Sequence, residues 1–183
     1  NAVNGQISDV VLGGMTAQNL VENGDFSQGM TGWNGPGSMI TVANKVCIVT
    51  GTGTSETPSI SQSYIFEQNH RYYFRAKARV LNDACQSIRL WAANGYLSKY
   101  LNNPINGAWY DISALATKIS ETNSSTWTIK QYYPDAETAN GKVMEVKEVL
   151  GLDLTALGLE DATLEELDAL TANWFDGTKS TVG

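Results

Sequence analysis

One histidine, two cysteines and four prolines in 183 residues set the first limits. A mechanism built on two histidines is excluded. Cys47 and Cys85 form no CxxC pair and have no metal-ligand neighbours in sequence, so no thiolate metal site is encoded. They read as two separate buried thiols, with a single disulfide as the alternative. No apolar run approaches the roughly 20 residues of a membrane-spanning helix, and no basic-then-apolar leader opens the chain. No nucleophile and base stand in a recognisable arrangement. Hydrophobic residues make up 42% and charged residues 17%, with 17 glycines; that balance belongs to a turn-rich globule, not a disordered chain. The length fits one domain plus an accessory segment.

Basic residues are scarce and unevenly matched. Residues 145–183 carry nine acids against Lys147 and Lys179, whereas residues 1–144 carry ten acids and ten bases. The whole net charge of −7 therefore sits in the last 39 residues. An acidic chain offers duplex DNA no counterion-releasing surface, so nucleic acid is not an expected partner.

Three stretches follow from composition. Residues 1–18 hold an apolar run, Ile7 to Leu12, closed by Gly13-Gly14, and read as a lead-in strand or linker. Residues 19–153 read as all-β. Runs rich in Val, Ile, Tyr and Trp are cut by Gly, Asn, Pro and Ser clusters. The expected strands are Met39–Val42, Lys45–Thr50, Ile60–Phe66, Tyr72–Leu81, Ser87–Ala93, Trp109–Ile112, Thr126–Tyr133 and Lys142–Leu150. Ser113–Ile119 reads as a helical turn or an irregular edge. Many short strands without interleaved helices predict a sandwich or barrel. Residues 154–183 change character. Thr163-Leu-Glu-Glu166 is a capping box, and Leu164, Leu167, Leu170 and Trp174 form one apolar stripe. A short amphipathic helix over about Leu164–Asn173 is expected, packed on the sandwich or on a neighbouring subunit.

Alternation assigns faces. Tyr72, Phe74, Ala76, Ala78 and Val80 point one way, and Tyr73, Arg75, Lys77 and Arg79 the other. Ile88, Leu90 and Ala92 oppose Arg89 and Trp91. Trp127, Ile129, Gln131 and Tyr133 oppose Thr128, Lys130 and Tyr132. If these strands share one sheet, its outer face gathers Arg75, Lys77, Arg79, Arg89, Trp91, Lys130 and Tyr132. Flat aromatics can stack on a sugar ring, and Arg can grip carboxylate or phosphate with two hydrogen bonds. The face reads as a saccharide site, or as a solvated surface where cationic stems cover apolar area. Trp91, Tyr132 and Tyr96 are the candidate ligand aromatics. Trp127 alternates with Ile129 and reads as core. His70 reads as a surface turn residue. Asp111 and Glu145 are acids that a glycosidase pair would need, but no feature of the sequence places them at a working separation.

The stretch Asn19-Leu-Val-Glu-Asn-Gly-Asp-Phe-Ser-Gln-Gly-Met-Thr-Gly-Trp33 resembles the opening of carbohydrate-binding modules of families 4, 9 and 22. Arg71–Val80, Trp109–Ser113 and Asn140–Val149 resemble later strands of the same modules, so the likeness spans about Asn19–Leu150. It implies a galactose-binding-like jelly-roll β-sandwich, with Trp33 and Trp109 at core positions. Asp153–Gly158, Thr163–Leu170 and Trp174–Thr178 resemble a C-terminal cassette of tail proteins of phages and prophages of Gram-positive bacteria. The resemblance implies a non-catalytic module of a virion tail, acting outside the host cell on wall polysaccharide or teichoic acid, with other tail subunits as partners and a homo-oligomeric state. A structural or oligomerisation module of the fibre or baseplate is the alternative. Many such modules hold structural calcium. Here the matching positions look like Ser27 and Lys147, with Asp25 and Glu22 as remaining oxygens. A hard cation needs six to eight oxygens, so a structural calcium is left open but not favoured, and the Lys147 ammonium could instead occupy the ion's place.

Overall fold

Apolar residues at every second position of 72–80, 87–92 and 126–133 force these segments to bury one face each. A computed structural model describes residues 15–175 and the strands at 2–3, 6–7, 9–12 and 181–182, with side chains from residue 16 to 175. Gly13, Gly14 and residues 176–178 of the C-terminal cassette lie outside the described residues. In chain order the strands are β1 (Ala2–Val3), β2 (Gln6–Ile7), β3 (Asp9–Leu12), β4 (Met15–Gln18), β5 (Ser38–Ala43), β6 (Val46–Gly51), β7 (Ser59–Phe66) and β8 (Tyr72–Val80). There follow β9 (Ser87–Ala92), β10 (Leu97–Asn102), β11 (Tyr110–Leu115), β12 (Asn123–Tyr132), β13 (Val143–Asp153) and β14 (Thr181–Val182). Two α-helices, α1 (Ala136–Ala139) and α2 (Leu164–Thr171), and a 3-10 turn at Ala93–Gly95 complete the described elements.

Two antiparallel sheets face each other as a jelly-roll β-sandwich. One has the order β10-β9-β12-β7 and the other β11-β8-β13-β6-β5. At the chain ends β1 pairs with β2, and β3 pairs with β4 and, in parallel, with β14. Eight expected strands of the sandwich are present within a few residues. β10 was not expected: its Leu97-Ser-Lys-Tyr-Leu-Asn102 is an edge strand with mostly exposed side chains, so it lacks a long apolar run. Ser113–Ile119 divides, with β11 continuing to Leu115 against β8 before the chain turns irregular.

Trp127 centres the core between the sheets. Its ring lies 4.8 Å from Phe66, 5.0 Å from Phe74, 5.5 Å from Tyr64 and 6.0 Å from Tyr72, centroid to centroid. Edge-to-face and tilted contacts of this kind add to plain area burial. At the N-terminal loop Phe26 and Trp33 pack at 5.3 Å, and the Trp33 indole donates to the Asn23 carbonyl at 3.2 Å. These two rings pin the loop to the core. Cys47 and Cys85 are buried and separate, and burial pushes the Cys47 thiol up to about 12.

β13 changes face part-way. Its pairing with β8 shifts register between Lys147 and Leu150, and Glu148 has φ of 52°. Before this bulge Met144 and Val146 point into the sandwich. After it Gly151 points inward and Leu150 and Leu152 point outward, because one extra residue exchanges the faces. The outer leucines join Tyr73, Leu154, Leu167 and Trp174 in a second, smaller core. α2 and the residues after it form the lid of that core. Thr163 Oγ1 accepts from the Glu166 amide and Glu166 Oε2 from the Thr163 amide, closing the capping box. The helix ends at Thr171, earlier than the expected Asn173, and Trp174 is buried just beyond it.

Beyond the Val46 end of β6, the N-terminal loop takes its place along β13. The Val149 amide donates to the Gly24 carbonyl at 2.8 Å and the Leu20 amide to the Gly151 carbonyl at 2.9 Å. The Asn19 amide reaches the Val149 carbonyl at 2.9 Å, and its oxygen accepts from Gly151 at 3.0 Å. A Cβ on Gly24 would fall 2.1 Å from the Val149 carbonyl oxygen. Gly24→Ala should therefore destabilise by about 3 kcal/mol or more, as overpacking against backbone does. Gly141→Ala, at φ of 71° with open space around it, should cost only about 1 kcal/mol. Thermal or urea unfolding of both variants checks the contrast.

Candidate ligand-binding face

The outward residues of the four-stranded sheet form a flat face. Register places Tyr100 opposite Arg89 and Arg89 opposite Lys130, while Ser98, Trp91 and Thr128 form the next row. Tyr132 and Ser87 make a third row on the other side. The Arg89 guanidinium carbon lies 3.7 Å from the Tyr132 ring centroid and 4.5 Å from that of Tyr100. Its Nε donates to Ser87 Oγ at 2.8 Å. The Lys130 ammonium lies 5.1 Å from the Trp91 ring centroid. Each pair is a cation held over an aromatic face. Burial holds the Lys130 amine below the ordinary lysine range, and the neighbouring Arg89 charge lowers it further. Tyr100 is 53% exposed.

The remaining candidates go elsewhere. Arg75 and Lys77 lie on β8, in the other sheet, so the single cationic face expected from alternation is two faces on opposite sides of the molecule. The period-two pattern fixes which way a side chain points, not which sheet its strand joins. On the five-stranded sheet each β8 cation has a carboxylate. Arg75 meets Asp111 at 3.5 Å, Lys77 meets Glu148 at 2.6 Å and Arg79 meets Glu145 at 2.5 Å. Arg75 also donates to the Asp168 carbonyl and to Thr171 Oγ1, both at 2.9 Å, which ties α2 down. Tyr96 is half-buried against the main core, and its hydroxyl bonds Ser120; it does not join the flat face.

Trp109 is not core as expected. It is half-buried on the outer side of the five-stranded sheet, with Arg79 at 4.7 Å and Lys147 at 4.3 Å from its ring. His70 does sit in the turn before β8, but Nδ1 is 2.7 Å from Asp153 Oδ2, so it ties that turn to the end of β13. Tyr100 is the contributor that sequence reasoning missed. The signal was present: Asn94-Gly95 and Asn102-Asn103-Pro104 bracket a stretch of strand length, as a hairpin's return strand would be.

No family model matches the chain, and no curated protein matches it. Solved structures do. A family 4 carbohydrate-binding module (CBM4) aligns over 73% of this chain and 99% of its own, with a TM-score of 0.52 and 14% identity. The fold is the jelly roll of carbohydrate-binding modules. The CBM22-2 xylan-binding domain of Paenibacillus barcinonensis Xyn10C aligns equally well, with a TM-score of 0.52 and 16% identity over 71% of this chain and 97% of that one. The enzymatically active domain of bacteriophage CBA120 tailspike protein 4 gives a TM-score of 0.50 at 14% identity over 74% of this chain, but only 21% of its own length.

Within this jelly roll the calcium positions can be tested on their donors. Asp25 is buried; its Oδ1 accepts from the Ser27 amide and hydroxyl, and its Oδ2 has no hydrogen-bond donor. The Lys45 ammonium stands 3.9 Å from that oxygen. Lys45 reaches it from the β5–β6 hairpin, where Asn44 and Lys45 both have positive φ, as a two-residue type I′ turn requires. Among the described residues no three His, Cys, Asp or Glu side chains gather around one point. One carboxylate facing an ammonium suits an ion pair, not a hard cation. The ammonium beside Asp25 is Lys45's, whereas the Lys147 ammonium expected there lies over Trp109.

The electrostatics of the flat face are testable without a ligand. Arg89 faces Lys130 across the strands, Tyr132 flanks Arg89 on the same face, and Lys99 on β10 is the only other cation of this sheet. A lysine held below its unfolded range disfavours the folded state while charged, and this penalty lifts as pH rises through the folded value. Lys130→Met should thus melt above the parent at neutral pH, and the gap should close in the alkaline range. Melting curves of both proteins across pH measure it.

Proposed function

We propose that the chain is a non-catalytic carbohydrate-binding module of a phage tail protein, adsorbing the virion to saccharide of the host cell wall. The observation that carries the proposal is the flat face of Trp91, Tyr100, Arg89, Lys130 and Tyr132 on the four-stranded sheet. Aromatic rings on a sheet face offer apolar area to the C–H face of a sugar, and polar groups among them fix orientation. The jelly roll shared with modules named for carbohydrate binding supports this reading. The virion setting rests on the likeness of the C-terminal cassette to phage tail proteins and on the fold shared with a tailspike domain. Tail proteins act in several copies, so weak single sites would add up through multivalency.

A structural module that docks a neighbour through its acidic helix is the competing reading. Its apolar stripe has less to offer, because Leu167 is buried and Leu164 and Leu170 pack onto the chain's own second core.

The test is retention of the purified protein on Gram-positive cell walls, with and without teichoic acids removed. Retention of the parent, its loss in Trp91→Ala, and no soluble sugar released is the expected result. The loss should be at least about ten-fold, the scale of one stacking contact of about 1.4 kcal/mol. Absence of retention on walls from a broad panel of hosts would defeat the adsorption reading, and released sugar would defeat the non-catalytic one.

A further inference from the structure

The four strands of the ligand face contain three bases, Arg89, Lys99 and Lys130, and no acid. The five strands of the other sheet contain four bases and four acids. In a chain of net charge −7, an acid-free sheet is a local exception. Arg89 and Lys130 are direct cross-strand partners, a placement that is unfavourable for like charges. Among the described residues neither has a carboxylate partner, while Arg75, Lys77 and Arg79 each have one.

The aromatic rings of the face are not bare. A guanidinium lies against Tyr132 and Tyr100, and an ammonium stands over Trp91. A ligand settling here meets positive charge together with ring. The Arg89 side chain is also held in place, between two tyrosines and by its Nε bond to Ser87. Its terminal nitrogens make no hydrogen bond to a described residue, and a guanidinium presents them in a fork that matches carboxylate or phosphate. A neutral glycan would leave two opposed, half-buried cations uncompensated. An anionic substituent between them would offset both.

We infer that the ligand is a saccharide polymer bearing a negatively charged substituent, carboxylate or phosphate, held between Arg89 and Lys130. This deepens the saccharide-binding proposal and rests on it. The overall charge of the protein repels polyanions, so such binding is local to this face and weakens with added salt.

Affinity electrophoresis of the full chain through gels containing polygalacturonate, a poly(glycerol phosphate) teichoic acid, or neutral xylan tests the assignment. Retardation by at least one polyanion, on the order of ten-fold stronger than by xylan, is expected, corresponding to one added charge-assisted contact. Which polyanion retards the protein tells carboxylate from phosphate. Lys130→Gln and Arg89→Lys should each weaken that retardation about ten-fold, the latter because the fork is lost while the charge stays. Lys130→Arg should retain it, and melting curves confirm that each variant is folded. Xylan binding as strong as that of either polyanion and unchanged in Lys130→Gln overturns the anionic assignment and leaves the saccharide face standing. Polyanion binding that survives both Lys130→Gln and Arg89→Lys overturns it as well. No retardation by any of the three polymers, together with no retention on cell walls, overturns both proposals.

Discussion

Between Lys147 and Leu150 the last long strand of the sandwich carries backbone that its neighbour β8 does not pair in register. Buried amide and carbonyl groups left without partners are costly, and here the N-terminal loop supplies them. Asn19 bonds Val149 within the bulge and Gly151 just after it with one side chain, and Gly24 accepts from the Val149 amide. Much else follows from that arrangement. The loop must be pinned, which Phe26 and Trp33 do. Gly151 must be glycine, because a Cβ there would lie 2.9 Å from the Trp127 ring. Leu150 and Leu152, turned outward by the extra residue, must be covered. The C-terminal helix exists in this position because the bulge created an apolar patch for it.

The two outer faces then take different roles. On the five-stranded side the leucine patch is capped by α2, and the cations beyond it are neutralised by Asp111, Glu145 and Glu148. Tyr73 lies under the helix with its hydroxyl donating to Asp168 at 2.7 Å. The four strands of the other sheet contain no acid, and Arg89 and Lys130 lie against tyrosine and tryptophan rings. Among the described residues, Lys147 alone of the five-stranded sheet's cations has no carboxylate and lies over Trp109; on the four-stranded side the two facing cations, Arg89 and Lys130, both lack one, and that makes it the candidate site.

Much of this was legible in the sequence. Alternation at 72–80 named every inward residue of β8, and the capping box at Thr163 marked the start of α2 to the residue. What alternation does not encode is sheet membership, which depends on pairings between segments far apart in the chain. Arg75 and Lys77 were grouped with Arg89 and Lys130 for that reason. Trp109 reads as core because it matches a core position of the resembled modules, yet two cations hold it at the surface. Tyr100 was missed because an edge strand needs only one buried side chain in six to stay in place. The exchange of Lys45 for Lys147 beside Asp25 turned on a hairpin whose two positive-φ residues aim the side chain, and on a bulge that no local pattern announced.

Among the described residues, Tyr73, Leu150 and Leu152 are buried mostly with side chains that come after position 153, Leu154, Leu167 and Trp174 foremost. The change in composition at that point looks like the edge of a domain, yet a chain cut there would turn an oily strip of its own sheet out to water. The compositional seam and the physical boundary therefore do not coincide. The acidic C-terminal segment closes an apolar strip of the sheet, and its many carboxylates keep that added layer wettable on its outer side.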